Sequence, residues 1–309
     1  MILVTGAAGF VGSHLLELLD AEGSEVTAWK RPGTEPIGSP ARVRWETVEL
    51  LDRSGTAAAV ARAKPSEVYH LAGAPHVADS WRHTRETFAA NVLGTHHLID
   101  GVRAAGLEAR VLVSGSATIY APSSKPLNES AAAGPASPYA TSKLAQEMLA
   151  HRAWEEHGLP VLLARSFNHV GPRQTPAFVA PSIARQIALI EDGKMEPQLA
   201  MGNLEPQRDI LDVRDTVRAY RAMMRAARPG VPYNICTGRL TSIRALVDMF
   251  LERARVPITI VQDPARMRPN DAPILAGDHG RLTRDTGWRP QVTLDQTVDD
   301  LLAYWRGRS

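Results

Sequence analysis

Gly6-Ala7-Ala8-Gly9-Phe10-Val11-Gly12 lies between a short apolar run, Ile2-Leu3-Val4, and a helical pattern over residues 11–22. Leu15, Leu16, Leu18 and Leu19 carry that pattern and Gly23 stops it. A strand that ends in glycines and opens a helix turns tightly, lets a ligand approach the backbone and offers it helix N-terminal amides. These features suit a pyrophosphate, so Gly6, Gly9 and Gly12, with Phe10 and Val11, are expected to hold the diphosphate of a dinucleotide. The spacing has one residue more than the G-x-G-x-x-G form.

Further along, apolar β-branched runs alternate with helical ones. Strands are expected at 25–29, 43–48, 67–72, 110–114 and 161–164. Helices are expected at 56–63, 84–105 and 137–157, and Pro65 ends the first of them. This alternation predicts an α/β Rossmann fold, a doubly wound parallel sheet covered on both faces. After Gly171 prolines and arginines thicken. Helices are expected there at 182–190, 214–226, 243–253 and 294–305, and short strands at 233–236 and 258–261. The domain expectation is a dinucleotide-binding domain over 1–170, to which about 208–240 returns, and a smaller α/β substrate lobe formed mainly by 171–309. A crevice between them, at the carboxyl ends of the strands, is the expected ligand site.

Composition narrows the function. The 309 residues carry 35 basic and 33 acidic side chains without a long block of one sign, which argues against nucleic-acid or membrane-surface partners. No apolar run reaches the ~20 residues of a membrane span, and Ile2-Leu3-Val4 is too short for a signal peptide. Cys236, the single cysteine, can form no intrachain disulfide and reads as a small buried hydrophobe beside a strand. A cytoplasmic location is expected.

The second strand ends in Trp29-Lys30-Arg31, where NAD sites place an acidic residue for the ribose 2′-hydroxyl. Two cations suit a 2′-phosphate instead, so NADP(H) is expected in preference to NAD(H). Ser137-Pro138-Tyr139-Ala140-Thr141-Ser142-Lys143 sets Tyr139 and Lys143 four residues apart on one helical face. A lysine ammonium nearby would lower the phenol from its ordinary value of about 10, and Tyr139 could then exchange a proton with a sugar hydroxyl or ketone. Upstream, Ser114-Gly115-Ser116-Ala117-Thr118-Ile119-Tyr120 offers Ser116 as the hydroxyl for the reacting oxygen, with Ser114 as its competitor.

Together these residues resemble the extended short-chain dehydrogenase/reductase family of nucleotide-sugar epimerases, dehydratases and reductases. The resemblance assigns Gly6, Gly9 and Gly12 to the phosphate loop, and Ser116, Tyr139 and Lys143 to catalysis. It places Leu71, Ala72 and Gly73 of His70-Leu71-Ala72-Gly73 beneath the cofactor, Glu49 and Leu50 near the adenine, and Asn91 in a helix motif, Asn91-Val92-Leu93-Gly94-Thr95, that braces the sheet. Arg165-Ser166-Phe167-Asn168-His169-Val170-Gly171-Pro172, Gly202-Asn203-Leu204 and Arg208–Asp215 continue the likeness. Arg266-Met267-Arg268-Pro269, Gly277-Asp278 and Thr286-Gly287-Trp288-Arg289-Pro290 complete it. This second half is similar to GDP-mannose 4,6-dehydratases, and closer to reductases of GDP-4-dehydro-6-deoxy-D-mannose. Arg208 and Arg268 are expected to clamp a nucleotide diphosphate, with Asn168 and Arg185 as further substrate contacts.

The family's dehydratases carry a glutamate two residues after the active-site hydroxyl. Here that place holds Thr118, which cannot take up a proton near neutral pH. The residues alone fit a reductase or a 4-epimerase, and Lys30-Arg31 favours the reductase. A non-catalytic NADP(H) sensor would often lack the Tyr139–Lys143 pair. By analogy a homodimer or higher homo-oligomer is expected, its helices 84–105 and 137–157 pairing across a two-fold axis.

Overall fold

The structure, a computed structural model, describes residues 1–38, 40, 42–267 and 273–308. The first half runs β1 (Ile2–Thr5), α1 (Phe10–Ala21), β2 (Val26–Lys30), β3 (Val43–Thr47), α2 (Arg53–Ala63), β4 (Glu67–His70), α3 (Val77–Ser80), α4 (Thr84–Phe88), α5 (Gly94–Ala104), β5 (Arg110–Ser116), α6 (Pro138–His157) and β6 (Val161–Ser166). It continues through β7 (Asn168–Val170), α7 (Val179–Glu191), β8 (Gln198–Met201), β9 (Gln207–Asp212), α8 (Val213–Ala226), β10 (Pro232–Ile235) and β11 (Leu240–Ser242). The last elements are α9 (Ile243–Leu251), β12 (Thr259–Gln262), β13 (Ile274–Leu275), α10 (Gly280–Thr286) and α11 (Leu294–Arg306).

Seven strands form one parallel sheet in the order β10-β6-β5-β4-β1-β2-β3. Successive side chains of a strand face opposite ways. Ile2 and Val4 therefore pack with Leu15, Leu19, Tyr220 and Leu282 of α1, α8 and α10, while Leu3 packs with Val60, Leu98 and Ala150 of α2, α5 and α6. Both faces are covered, as the apolar runs predict. β10 comes from the second half of the chain and pairs with β6.

A smaller sheet is built on β9, which pairs with β7, β11 and β13, and β8 pairs with β12. Its core joins Ile183 and Ile187 of α7, Phe250 of α9 and Leu301 of α11. The acids of the 208–215 stretch pin this region together. Asp209 accepts from the Thr237 amide and hydroxyl at 2.7 Å each and from the Gly238 amide at 2.8 Å. Asp212 caps α8 and accepts from Thr297 Oγ1 at 2.7 Å. Asp215 accepts from the Gln291 and Val292 amides.

One expected element is broken. The helix anticipated over 84–105 is α4, a π-helical turn over Ala89–Leu93, and α5. A π turn inserts one extra residue per turn and is common at functional sites. Here Asn91 in that turn accepts from the Ala74 amide at 2.8 Å and donates to Ser142 Oγ at 2.9 Å. Cys236 is buried directly after β10.

Candidate active site

The strand order reverses between β1 and β4, so a crevice opens beyond their carboxyl ends. The glycine loop lines it. Gly6 has φ +65°, and a Cβ there would lie 2.6 Å from the Ala72 amide nitrogen. A Cβ on Gly12 would lie 2.5 Å from the Gly6 carbonyl oxygen and 2.7 Å from Ala7 Cα, so the loop folds onto itself as well as onto Leu71 and Ala72. Gly9 is exposed and begins α1 without a side-chain cap or an acidic residue in the first turn. The amides of Phe10 and Val11 thus open a helix that welcomes negative charge. Trp29 lies opposite Thr5 in the β1–β2 register, which sets Lys30 and Arg31 beside the same edge. Lys30 is half-buried and pairs with Glu35 at 3.5 Å, and Arg31 is exposed. Glu49 is exposed after β3 and accepts from the Leu51 amide, while Leu50 lies against Gly94. Gly73 faces Asn91, whose Oδ1 would lie 2.5 Å from a Cβ there. These positions fit a dinucleotide with a phosphorylated ribose: an open amide-rich turn for the diphosphate and two cations at the ribose end.

Three catalytic candidates converge. Ser116, buried at the end of β5, accepts from the Thr118 amide at 3.2 Å and shares a 3.0 Å hydrogen bond with the Thr118 hydroxyl. Ser137 caps α6 by accepting from the Ala140 amide, and Pro138 sits in the first turn, so Tyr139 enters at the helix start. The Tyr139 amide donates to Ser80 Oγ at 3.1 Å, which fixes the start of α6 against α3. The Ser116 side chain is the polar group that acts on the Tyr139 phenol. The competing hydroxyl, Ser114, donates to the His70 carbonyl at 3.0 Å and so serves the β4–β5 junction.

The lysine does not lower the phenol as expected. Burial pushes Tyr139 up, and the Ser116 side chain opposes that only in part. Lys143 is itself buried, and burial brings it down to about 8. Its Nζ donates to the Ser114 carbonyl at 2.8 Å and to Gln146 Oε1 at 2.9 Å. Tyr139 therefore holds its proton near neutrality, the state required of an acid.

The substrate candidates are more dispersed. Asn168 is exposed at the start of β7, where the chain leaves the large sheet for the small one. Arg208, buried in β9, donates to the Gln207 carbonyl at 2.8 Å. Arg185 is exposed on α7, and Thr118 is half-buried beside Ser116. Arg268 lies outside the described residues.

Sequence reasoning missed two features. His70, Thr95 and Gln146 form a fully buried polar chain behind Lys143; the only local signal was a polar residue inside each apolar pattern. His76 and Phe178 stack with centroids 5.0 Å apart, joining the loop after β4 to the start of α7.

A doubly wound parallel sheet with serine at the end of β5, and tyrosine and lysine on the following helix, defines the extended short-chain dehydrogenase/reductase class. Within it, the model of the family described as GDP-mannose 4,6 dehydratase matches residues 3–301, and the chain belongs to that family. It is 36% identical to the GDP-6-deoxy-D-mannose reductase of Pseudomonas aeruginosa, over 99% of this chain and 97% of that one. Among solved structures, RMD from Pseudomonas aeruginosa complexed with NADPH superposes with a TM-score of 0.89 at 33% identity, covering 100% of this chain and 99% of that one. The UDP-glucose 4-epimerase of Thermus thermophilus, in complex with NAD, gives 0.88 at 27% identity, covering 100% and 99%.

Proposed function

We propose that the protein is an NADPH-dependent reductase of a nucleotide-linked 4-dehydro-6-deoxyhexose, converting GDP-4-dehydro-6-deoxy-D-mannose to GDP-D-rhamnose. The observation that carries this reading is the Ser116–Thr118 hydroxyl pair beside a protonated Tyr139. A 4,6-elimination needs a further acid/base group, and a threonine hydroxyl cannot supply one near neutrality. The full-length likeness to a GDP-6-deoxy-D-mannose reductase supports the same choice.

In this reading Gly6, Gly9, Phe10, Val11 and Gly12 hold the cofactor diphosphate and Lys30 and Arg31 its ribose phosphate. Glu49, Leu50, Leu71, Ala72, Gly73 and Asn91 shape the rest of that cleft. When bound, the reduced nicotinamide supplies the hydride for the sugar C4 carbon. Ser116 donates a hydrogen bond to the C4 carbonyl oxygen and orients it. Tyr139 gives that oxygen its proton. Lys143, charged below about pH 8, favours the phenolate left behind. Asn168, Arg185, Arg208 and Arg268 bind the nucleotide diphosphate.

The division into a cofactor domain over 1–170 plus about 208–240, and a mainly substrate-binding 171–309, belongs to this proposal. β10 in the large sheet supports it. A homodimer or higher homo-oligomer packed on residues 84–105 and 137–157 is also part of this proposal; Leu93 in the π turn and Met148 on α6, 50% and 65% exposed, favour it. Among the described residues no helix is long and apolar enough to cross a membrane; the lone buried thiol of Cys236 suits action in the cytoplasm.

The Ser116-Ala117-Thr118-Ile119-Tyr120 loop and the likeness to a 4-epimerase structure favour one second reading, a nucleotide-sugar 4-epimerase that keeps NAD bound. Incubation of GDP-4-dehydro-6-deoxy-D-mannose with NADPH or NADH separates the readings. The reductase consumes NADPH stoichiometrically and yields one C4 configuration by NMR. Oxidation of neither cofactor removes the proposal.

A further inference from the structure

Lys143 is held from behind by a side chain with no assigned role. Gln146, three residues along α6, is fully buried. Its Oε1 accepts from Lys143 Nζ at 2.9 Å, and its Nε2 donates to Thr95 Oγ1 at 2.7 Å. Thr95 spends its own proton on the Asn91 carbonyl at 2.6 Å, so it accepts from both Gln146 and His70 Nε2, the latter at 2.8 Å. His70 therefore carries its hydrogen on Nε2, and its Nδ1 accepts from Thr5 Oγ1 at 2.8 Å. Thr5 is the last residue of β1, directly before the glycine loop, and its hydroxyl oxygen also accepts from the Ala72 amide at 3.3 Å. Each group in this chain has one consistent role, and that consistency fixes the Gln146 amide with its oxygen toward the lysine.

We propose that Gln146 is a positioning residue, which keeps the Lys143 ammonium charged and aimed and ties its place to the glycine loop through Thr95, His70 and Thr5. The inference rests on the reductase reading for what Lys143 does in turnover. Its physical basis is that a buried ammonium is costly unless acceptors surround it. Lys143 has two neutral acceptors, the Ser114 carbonyl and Gln146 Oε1. Among the described residues no carboxylate pairs with it, and Glu147, next on α6, is taken by Arg165 at 2.6 Å. The titratable groups facing it are His70 from β4, which stays neutral, and Tyr139 from α6 itself, which Tyr220 of α8 adjoins. Lys143 loses charge stabilisation when the amide oxygen goes and gains it when a carboxylate takes its place.

The test is a direct titration of Lys143 in the full chain by NMR of 13C-labelled lysine side chains, of which there are five. The Lys143 resonance is identified by its loss in Lys143→Arg. Gln146→Leu is expected to move the titration down by roughly one unit, a tenfold change in the ionisation equilibrium, and Gln146→Glu to move it up by at least as much. With keto-sugar and NADPH, the alkaline limb of kcat/KM should move in the same two directions. Opposite shifts from one position are not what loss of packing produces. If Gln146→Leu fails to fold by circular dichroism, Gln146→Glu alone decides. An unmoved lysine in the folded variants overturns the proposal. A lysine that moves as expected in a protein that reduces no keto-sugar leaves the anchoring intact and removes the reductase reading instead.

Discussion

Lowering the pH from 7 to 5 should weaken this fold, and His70 carries a separable share of the loss. Its ring is fully buried and lies between Thr5 and Thr95, with both nitrogens hydrogen-bonded at 2.8 Å. Burial, assisted by the nearby Lys143 charge, brings its pKa from 6.5 down to about 3. In the unfolded chain His70 takes up a proton below pH 6.5, whereas the folded protein refuses it until about pH 3. Stability from this group is complete above the unfolded value and is lost as pH falls toward the folded one. At pH 5 the unfolded state is 1.5 units below its pKa, which at ~1.4 kcal/mol per unit costs the fold about 2 kcal/mol. Urea denaturation of wild type and His70→Gln at both pH values isolates the effect. Glutamine donates and accepts but does not titrate, and the other titrating groups, buried His14 and His169 included, are common to both proteins. The variant should lose about 2 kcal/mol less than wild type between pH 7 and 5. Parallel losses in the two proteins would refute the neutral, buried His70, and with it the polar chain behind Lys143.

Two further outcomes follow from the cofactor cleft. Replacing Lys30 and Arg31 by serine should weaken NADPH binding roughly 10- to 100-fold per charge-assisted hydrogen bond lost and leave NADH binding nearly unchanged; calorimetric titration with each cofactor measures this, and equal losses for both would contradict the assignment. Gly12→Ala drives a Cβ to 2.5 Å from the Gly6 carbonyl, a backbone atom that cannot swing aside. That variant should lose cofactor binding, measured by nicotinamide fluorescence, and melt at a lower temperature; wild-type affinity would show that the loop is not folded as described.

The central sheet was legible because each of its strands carries its own apolar signal and α1 and α8 their own helical period; α10, which packs Leu282 onto it, was not anticipated. The glycine loop was legible for the same local reason. The π turn at Ala89–Leu93 was not: it is held by Asn91 reaching Ala74 and Ser142, partners 17 and 51 residues away in sequence, and no short window records them. β9 was hidden because it contains charged residues that are buried, Arg208, Asp209 and Asp212, and the Thr237 and Gly238 partners of Asp209 lie 28 and 29 residues away. The candidates Ser116, Tyr139 and Lys143 could be read from the motifs, but the division of labour between Ser116 and Ser114 could not, because the Ser114 partner is the distant His70 carbonyl. The direction of the Tyr139 shift could not be read either, since spacing puts a lysine four residues on but does not say that the phenol is buried. Gln146 looked like any helix residue until Thr95 and Lys143 were seen on either side of its amide.

In the proposed reduction Tyr139 gives its proton to a sugar oxygen while the cofactor is consumed. The most direct test compares wild type and Tyr139→Phe with GDP-4-dehydro-6-deoxy-D-mannose, following NADPH absorbance, with NADPH affinity measured separately. Stoichiometric oxidation by wild type is expected, and in the variant a rate lower by at least about 100-fold, the low end of what a positioned general acid contributes, at nearly unchanged affinity. Full turnover by Tyr139→Phe would contradict that proton transfer.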